Sequence, residues 1–236
     1  MSINSASAVA KTVANLVKSI PVRNKDVVSR RFGLKNGKKE TLESIGKSYG
    51  ITRERVRQIE EFAVNQLRKV ADGNQDVERY VALTKNIIGG NGVMKERDLF
   101  KAFSGSEADS AVNSSLVFVL SLSRDLVRLG ENDDFHAFWA VSPAALNDFK
   151  NHAATCVAFM ETAKRPMLES NLTEFKSEWL KTFLSISKTV GKNIFHEVGL
   201  VSWPEVKPKG VRDKAYLVLK RDNAPKHFGE IAKLIN

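Results

Sequence analysis

Cysteine is nearly absent from this 236-residue chain, where Cys156 stands alone. A single thiol cannot close an internal disulfide, and no metal-ligand spacing surrounds it. A disulfide framework is therefore excluded, zinc or redox chemistry is not expected, and Cys156 reads as a small core hydrophobe. Long apolar runs are missing as well. No stretch reaches the roughly 18 apolar residues that a membrane-spanning helix needs, and residues 1–10 lack the basic start and apolar centre of a signal peptide. A cytoplasmic protein with no membrane partner is expected. Nor is there a Gly-rich phosphate loop, or a nucleophile beside a convincing base. His136, His152, His196 and His227 are too scattered to suggest a metal site, while Asp133-Asp134 and Glu60-Glu61 read as a turn and a helix face. These absences argue against a hydrolase or nuclease. The expectation is a binding protein that is not an enzyme and uses neither metal nor cofactor.

What the chain does have is positive charge, unevenly placed. Its formal charge is +10, from 37 Lys/Arg against 27 Asp/Glu. Residues 1–72 hold 15 basic and 7 acidic residues, a net +8, so the remaining 164 residues are nearly neutral. The first third is the expected polyanion-binding unit.

Helical spacing of Val9, Val13, Leu16, Val17 and Ile20 predicts an amphipathic helix over 6–20, ended by Pro21. A second helix is expected at about 24–32, closed by Gly33 and followed by a basic turn, Lys35-Asn36-Gly37-Lys38-Lys39. Thr41 is a plausible N-cap for a helix over 41–49, whose Leu42, Ile45 and Tyr49 share one face. Gly50 supplies a left-handed turn, Ile51 tucks between helices, and Thr52 caps a longer helix over 53–69. That order is the layout of a helix-turn-helix.

On the longer helix, Val56, Ile59, Ala63 and Leu67 fall on one side at 100° per residue, and Glu54, Arg57, Gln58 and Glu61 on the other. Arg53, Glu54, Arg57 and Gln58 occupy the first two turns, where a recognition helix meets base edges. Arg can donate bidentately to guanine, Gln can pair with adenine, and Glu can accept from the cytosine amino group. Periodicity and charge fit two other readings as well, a solvated charged helix start and a protein-docking module.

The order of residues resembles region 4 of the bacterial sigma-70 family of sigma factors, over residues about 24–69. The resemblance runs from Arg31-Phe32-Gly33 to Thr41-Leu42-Glu43-Ser44-Ile45-Gly46-Lys47, then Ile51-Thr52-Arg53-Glu54-Arg55-Val56-Arg57-Gln58-Ile59-Glu60 and Leu67-Arg68. It implies a domain that reads the minus-35 promoter element in double-stranded DNA, with RNA polymerase core or another transcription factor as a partner. It also implies base-reading roles for Arg53, Glu54, Arg57 and Gln58, and contacts to the DNA backbone from Arg31, Thr41 and Arg55. The family is usually more basic where this chain has Glu61, Phe62, Asn65 and Gln66. Nothing before residue 20 resembles the aromatic, basic segment with which the family melts the minus-10 element, so a complete sigma factor is not expected.

Beyond Gly73-Asn74 the pattern turns to helices followed by short strand pairs. Helices are expected at about 76–88, 93–103 and 107–121, and strands at 125–130 and 135–141 around a turn at 131–134. Three helices and a hairpin is the order of a winged helix. A second pass follows, with helices at 144–163, about 171–177 and 179–188 and a strand at 193–201. Residues 210–236 resemble the start of a HARE-type helix-turn-helix, a small winged-helix family. The expected fold is mainly α, a helix-turn-helix followed by an array of small winged-helix domains. Its expected divisions are 1–72, 76–142, 143–205 and 210–236. The nearly neutral middle divisions are expected to dock protein or act as spacers rather than to bind DNA. Three roles stay open: a sigma-like accessory of RNA polymerase in the bacterial nucleoid, a stand-alone DNA-binding regulator or repressor, and a protein-docking scaffold.

Overall fold

The computed structural model describes residues 3–235 and is mainly helical, with two small antiparallel sheets. It divides into two compact units. One runs up to Leu129 and includes Ala137–Leu146; the other holds Gly130–His136 and the chain from Asn147 onward.

The first unit opens with α1, Ile3–Leu16, and a single 3-10 turn over Val17–Ser19. Pro21 then starts α2, Val22–Phe32, which ends on Gly33 in the left-handed conformation. The Leu34 N–H donates back to the Ser29 carbonyl, so the cap satisfies carbonyls the helix would otherwise leave open. Next come α3, Leu42–Tyr49, and α4, Arg53–Ala71. Both are capped as their sequences predict. The Thr41 hydroxyl accepts from the Ser44 N–H at 3.1 Å and the Thr52 hydroxyl from the Arg55 N–H at 3.2 Å. Val27, Ile45 and Val56 meet in a fully buried contact between the three helices, flanked by Leu42, Tyr49, Ile51 and Ile59. The tight turn needs a small residue at position 46. A Cβ on Gly46 would stand 2.7 Å from the Ile51 carbonyl oxygen.

The same unit continues with α5, Gln75–Ile88, β1, Val93–Lys95, α6, Glu96–Ser104, and α7, Ala111–Leu122. It closes with β2, Val127–Leu129, and β3, Phe138–Ala140. The sheet order is β1-β3-β2, with Trp139 opposite Met94 on one side and Arg128 on the other. This order is consistent with a winged helix. The residues expected to start a helix at 93 instead form β1. Gly92, in a left-handed conformation, turns the chain so that Val93, Met94 and Lys95 pair with β3 before α6 begins. The carboxylate of Glu96 is satisfied by Arg128 and by the Trp139 Nε1–H at 3.0 Å, as a largely buried charge must be.

One hydrophobic cluster joins these parts. It contains Val9, Val13, Leu16 and Val28, then Ala63, Leu67 and Ala71, then Val77, Tyr80, Leu99, Leu116, Phe118 and Trp139. The turn at 72–74, expected as a domain boundary, therefore lies inside a single body. The cause is in α7, a helix apolar almost all round, nine of whose twelve residues are buried. Its neighbours α5 and α6 cannot cover every face, and α1, α2 and α4 pack on the remainder. Phe32 of α2 adds an edge-on contact to Phe118, with ring centroids 4.8 Å apart.

The turn between α2 and α3 seats on this body at Gly37, whose φ is +81°. A Cβ there would fall 2.7 Å from the backbone of Ser110. Exchange of Gly37 for Ala is expected to cost about 1–3 kcal/mol, checked by urea unfolding followed by far-UV circular dichroism. An unchanged midpoint would mean that the turn does not seat on Ser110.

The chain passes into the second unit within α8, Pro143–Ala163, and that unit continues with β4, Met167–Leu168, α9, Ser177–Ile186, β5, Val190–Lys192, and β6, Glu197–Leu200. Its sheet order is β4-β6-β5. No α-helix forms over 171–177: a 3-10 turn over Glu169–Asn171 leads into irregular chain that buries Leu172 and Phe175. Trp179 stacks between Phe175 and Phe183, with centroids at 5.6 and 5.0 Å. Cys156 is a free, buried thiol whose pKa burial pushes up to about 11. The chain then forms α10, Val211–Asp222, and α11, Phe228–Ile235. The class is the expected one, mainly α with a helix-turn-helix followed by small units of helices and short sheets. Among the described residues no helix is long and apolar enough to cross a membrane.

Candidate nucleic-acid interface

Burial of Val56, Ala63 and Leu67 fixes the rotation of α4 and leaves Arg53, Glu54, Arg55, Arg57 and Gln58 exposed. Thr52 fixes where the helix begins, so these five residues fill its first two turns. Four of them are linked to one another or to a near neighbour. Arg57 grips Glu54 with two N–H groups, Nε at 2.9 Å and Nη2 at 2.8 Å, and donates through Nη1 to Glu61 at 3.1 Å. Arg55 donates to the Gln58 amide oxygen at 3.0 Å. The hydrogen bond from Arg57 holds the Glu54 carboxyl below the usual carboxylate range, and the same bond raises Arg57. The pairing favours the charged form of both groups.

Thr41 sits at the start of α3, where its oxygen serves the cap while its hydroxyl hydrogen stays available to a phosphate. Arg31 is more constrained than its sequence position suggested. Its Nη1 donates to the Glu40 carbonyl at 3.1 Å, and its Nε lies 3.3 Å from Glu60 on α4. The structure thus brings Arg53, Glu54, Arg55, Arg57 and Gln58 together, exposed, on the first two turns of α4. It sets Thr41 at the head of the neighbouring helix, and it ties Arg31 on α2 to α4.

Sequence reasoning missed the groups that hold this scaffold in place. Arg30 forms a two-pronged bond to Glu40, at 2.9 and 2.7 Å, and a third bond to Ser48 at 2.7 Å. The Tyr49 hydroxyl donates to Asp26 at 2.9 Å, and Arg23 lies 5.2 Å from the centre of the Tyr49 ring. A partial signal was present in the i, i+4 spacing of Asp26 and Arg30, which stand 3.7 Å apart. Nothing in the sequence separates Arg30 from Arg31 as the inward-facing arginine.

Helix α7 of the same unit is largely buried. Its burial leaves it no face to offer a groove. Within this unit, α4 is the helix whose exposed polar face matches groove recognition.

Comparison with known proteins agrees with this geometry. Residues 16–69 match the family described as Sigma-70, region 4. RNA polymerase sigma factor RpoS of Coxiella burnetii is 52% identical over 50 residues, covering 21% of this chain and 14% of that protein. RNA polymerase principal sigma factor HrdD of Streptomyces coelicolor is 39% identical over 57 residues, covering 24% of this chain and 17% of that protein. RNA polymerase sigma factor SigA of Microcystis aeruginosa is 39% identical over 64 residues, covering 27% and 15%. The chain spans only 14–17% of the length of these relatives. By sequence, residues 16–69 match a sigma-70 region 4 domain.

Proposed function

We propose that this chain is a sequence-specific DNA-binding protein of transcription initiation, which reads a minus-35-like promoter element as a sigma-like accessory of RNA polymerase. One observation carries the reading. In a region 4 domain with an intact core and caps, Arg53, Glu54, Arg57 and Gln58 stand exposed on the first two turns of α4. Each has a matching base edge in the major groove, and Glu54 favours a site with a cytosine amino group over indiscriminate attraction to phosphate. Arg31, Thr41 and Arg55 are assigned to the backbone, where they set register without reading sequence. The protein acts by binding and not by catalysis, in the bacterial cytoplasm at the nucleoid.

The remaining units are assigned to protein contacts, with RNA polymerase core or another transcription factor. The α10–α11 segment, taken as the start of a HARE-type helix-turn-helix, exposes Val211, Tyr216, Phe228 and Leu234. That apolar surface suits a protein partner better than a polyanion.

Exchange of Arg31 for Ala is expected to weaken cognate and scrambled duplexes alike, with a shallower salt dependence by about one phosphate contact. A salt series of binding titrations checks this, and a loss confined to the cognate duplex would remove the backbone assignment. The functional reading is tested by affinity purification of tagged full-length chain from its host. Recovery of core polymerase subunits supports it. A polymerase-free homodimer that selects palindromic sites would replace it with a stand-alone regulator.

A further inference from the structure

Two adjacent carboxylates on α4 have different surroundings. Glu60 faces inward, paired with Arg31 at 3.3 Å, and its side chain is 20% exposed. Glu61 is 60% exposed and reaches back one turn to Arg57 Nη1 at 3.1 Å. All three guanidinium nitrogens of Arg57 are thus engaged by carboxylates, Nε and Nη2 by Glu54 and Nη1 by Glu61. The guanidinium has five N–H groups, so two remain open, but the three bonds fix its orientation along the helix, and turning it out to donate bidentately to a guanine breaks at least some of them. Glu54 can let go without loss, because the cytosine amino group offers it a replacement donor. Glu61, two turns along the helix, has no such base assigned to it. While it keeps Nη1 it holds the guanidinium against the helix, and once it lets go it is an unpaired negative charge beside phosphates.

We infer that Glu61 is an intramolecular competitor for Arg57, which lowers the affinity of the domain for its DNA site and so helps to set its specificity. This rests on the base-reading assignment of Arg57. Both costs, the held guanidinium and the misplaced carboxylate, fall on the bound state, so removal of the charge strengthens binding. The two are separable, because only the first depends on Arg57.

The test is a double-mutant cycle with full-length protein: wild type, Glu61→Gln, Arg57→Ala and the double variant, titrated by fluorescence anisotropy against a minus-35-type duplex and a scrambled one. Glu61→Gln is expected to tighten the cognate complex about threefold to tenfold at low salt. The gain should be smaller on scrambled DNA, should fade as salt screens the exposed pair, and should shrink to less than about twofold in the Arg57→Ala background. Unchanged affinity in Glu61→Gln overturns the inference. So does an equal gain with and without Arg57, which would reduce Glu61 to general repulsion. If neither wild type nor Arg57→Ala discriminates between the duplexes, the base-reading assignment falls first and this inference with it. That result is distinguishable from a wild type that discriminates and gains nothing from Glu61→Gln.

Discussion

Exchange of Arg57 for Ala should weaken binding to a minus-35-type duplex by roughly 1–3 kcal/mol, about fivefold to 150-fold in Kd, and relax preference at one base pair. The loss has two sources. A bidentate donor to guanine disappears, and Glu54 and Glu61 lose the cation that each holds in the free protein, at 2.8 and 3.1 Å. Because all three side chains are exposed, the fold itself should be indifferent, and thermal unfolding of the variant should match wild type within about 0.5 kcal/mol. Titration against duplexes varied one base pair at a time checks the claim. Equal losses on cognate and scrambled DNA would mean that Arg57 neutralises phosphate and reads nothing.

The second large effect is on stability. Phe118 is fully buried on α7 and takes the edge contact from Phe32 of α2, so Phe118→Ala should destabilise the first unit by about 3–5 kcal/mol. More telling than the size is which segments respond. The cluster that holds Phe118 runs from Val9 to Trp139 without interruption, so α2–α4 and α5–α7 should lose protection together. Hydrogen exchange followed by mass spectrometry shows this directly, with peptides from both halves of the unit accelerated by the same factor. DNA binding should weaken in parallel, although Phe118 is nowhere near the reading face. Acceleration confined to α5–α7, with α2–α4 untouched, would mean that the helix-turn-helix is an independent domain after all.

That coupling also marks the limit of what the sequence discloses. Thr41, Thr52, Gly33 and Gly50 announced their helix ends because a cap is a local event, decided within four or five residues. The two faces of α4 were equally legible, since Val56, Ala63 and Leu67 repeat at helical spacing over a long element. Three-residue strands leave no such trace: Val93, Met94 and Lys95 fit the periodicity of the helix that follows them, and β5 at Val190–Lys192 is too short to show alternation. The 171–177 segment carries buried Leu172 and Phe175 at helical spacing without being helical. Nor could local pattern show all that covers α7, because its partners on α1, α2 and α4 lie far away in the chain. At the site, the residue types and their face were readable, while the pairing of Arg30 with Glu40 across a turn was not. The link between Arg57 and Glu61 could have been drawn from their i, i+4 spacing alone.

The most direct test of the central claim is a fluorescence-anisotropy titration of the full chain against a minus-35-type duplex and its scrambled counterpart, repeated across a salt series. Promoter reading predicts selective binding to the first duplex with a steep fall in affinity as salt rises, the mark of several phosphate contacts under a specific interface. Equally weak binding to both duplexes at every salt concentration would contradict it, and would make α4 a surface for docking protein.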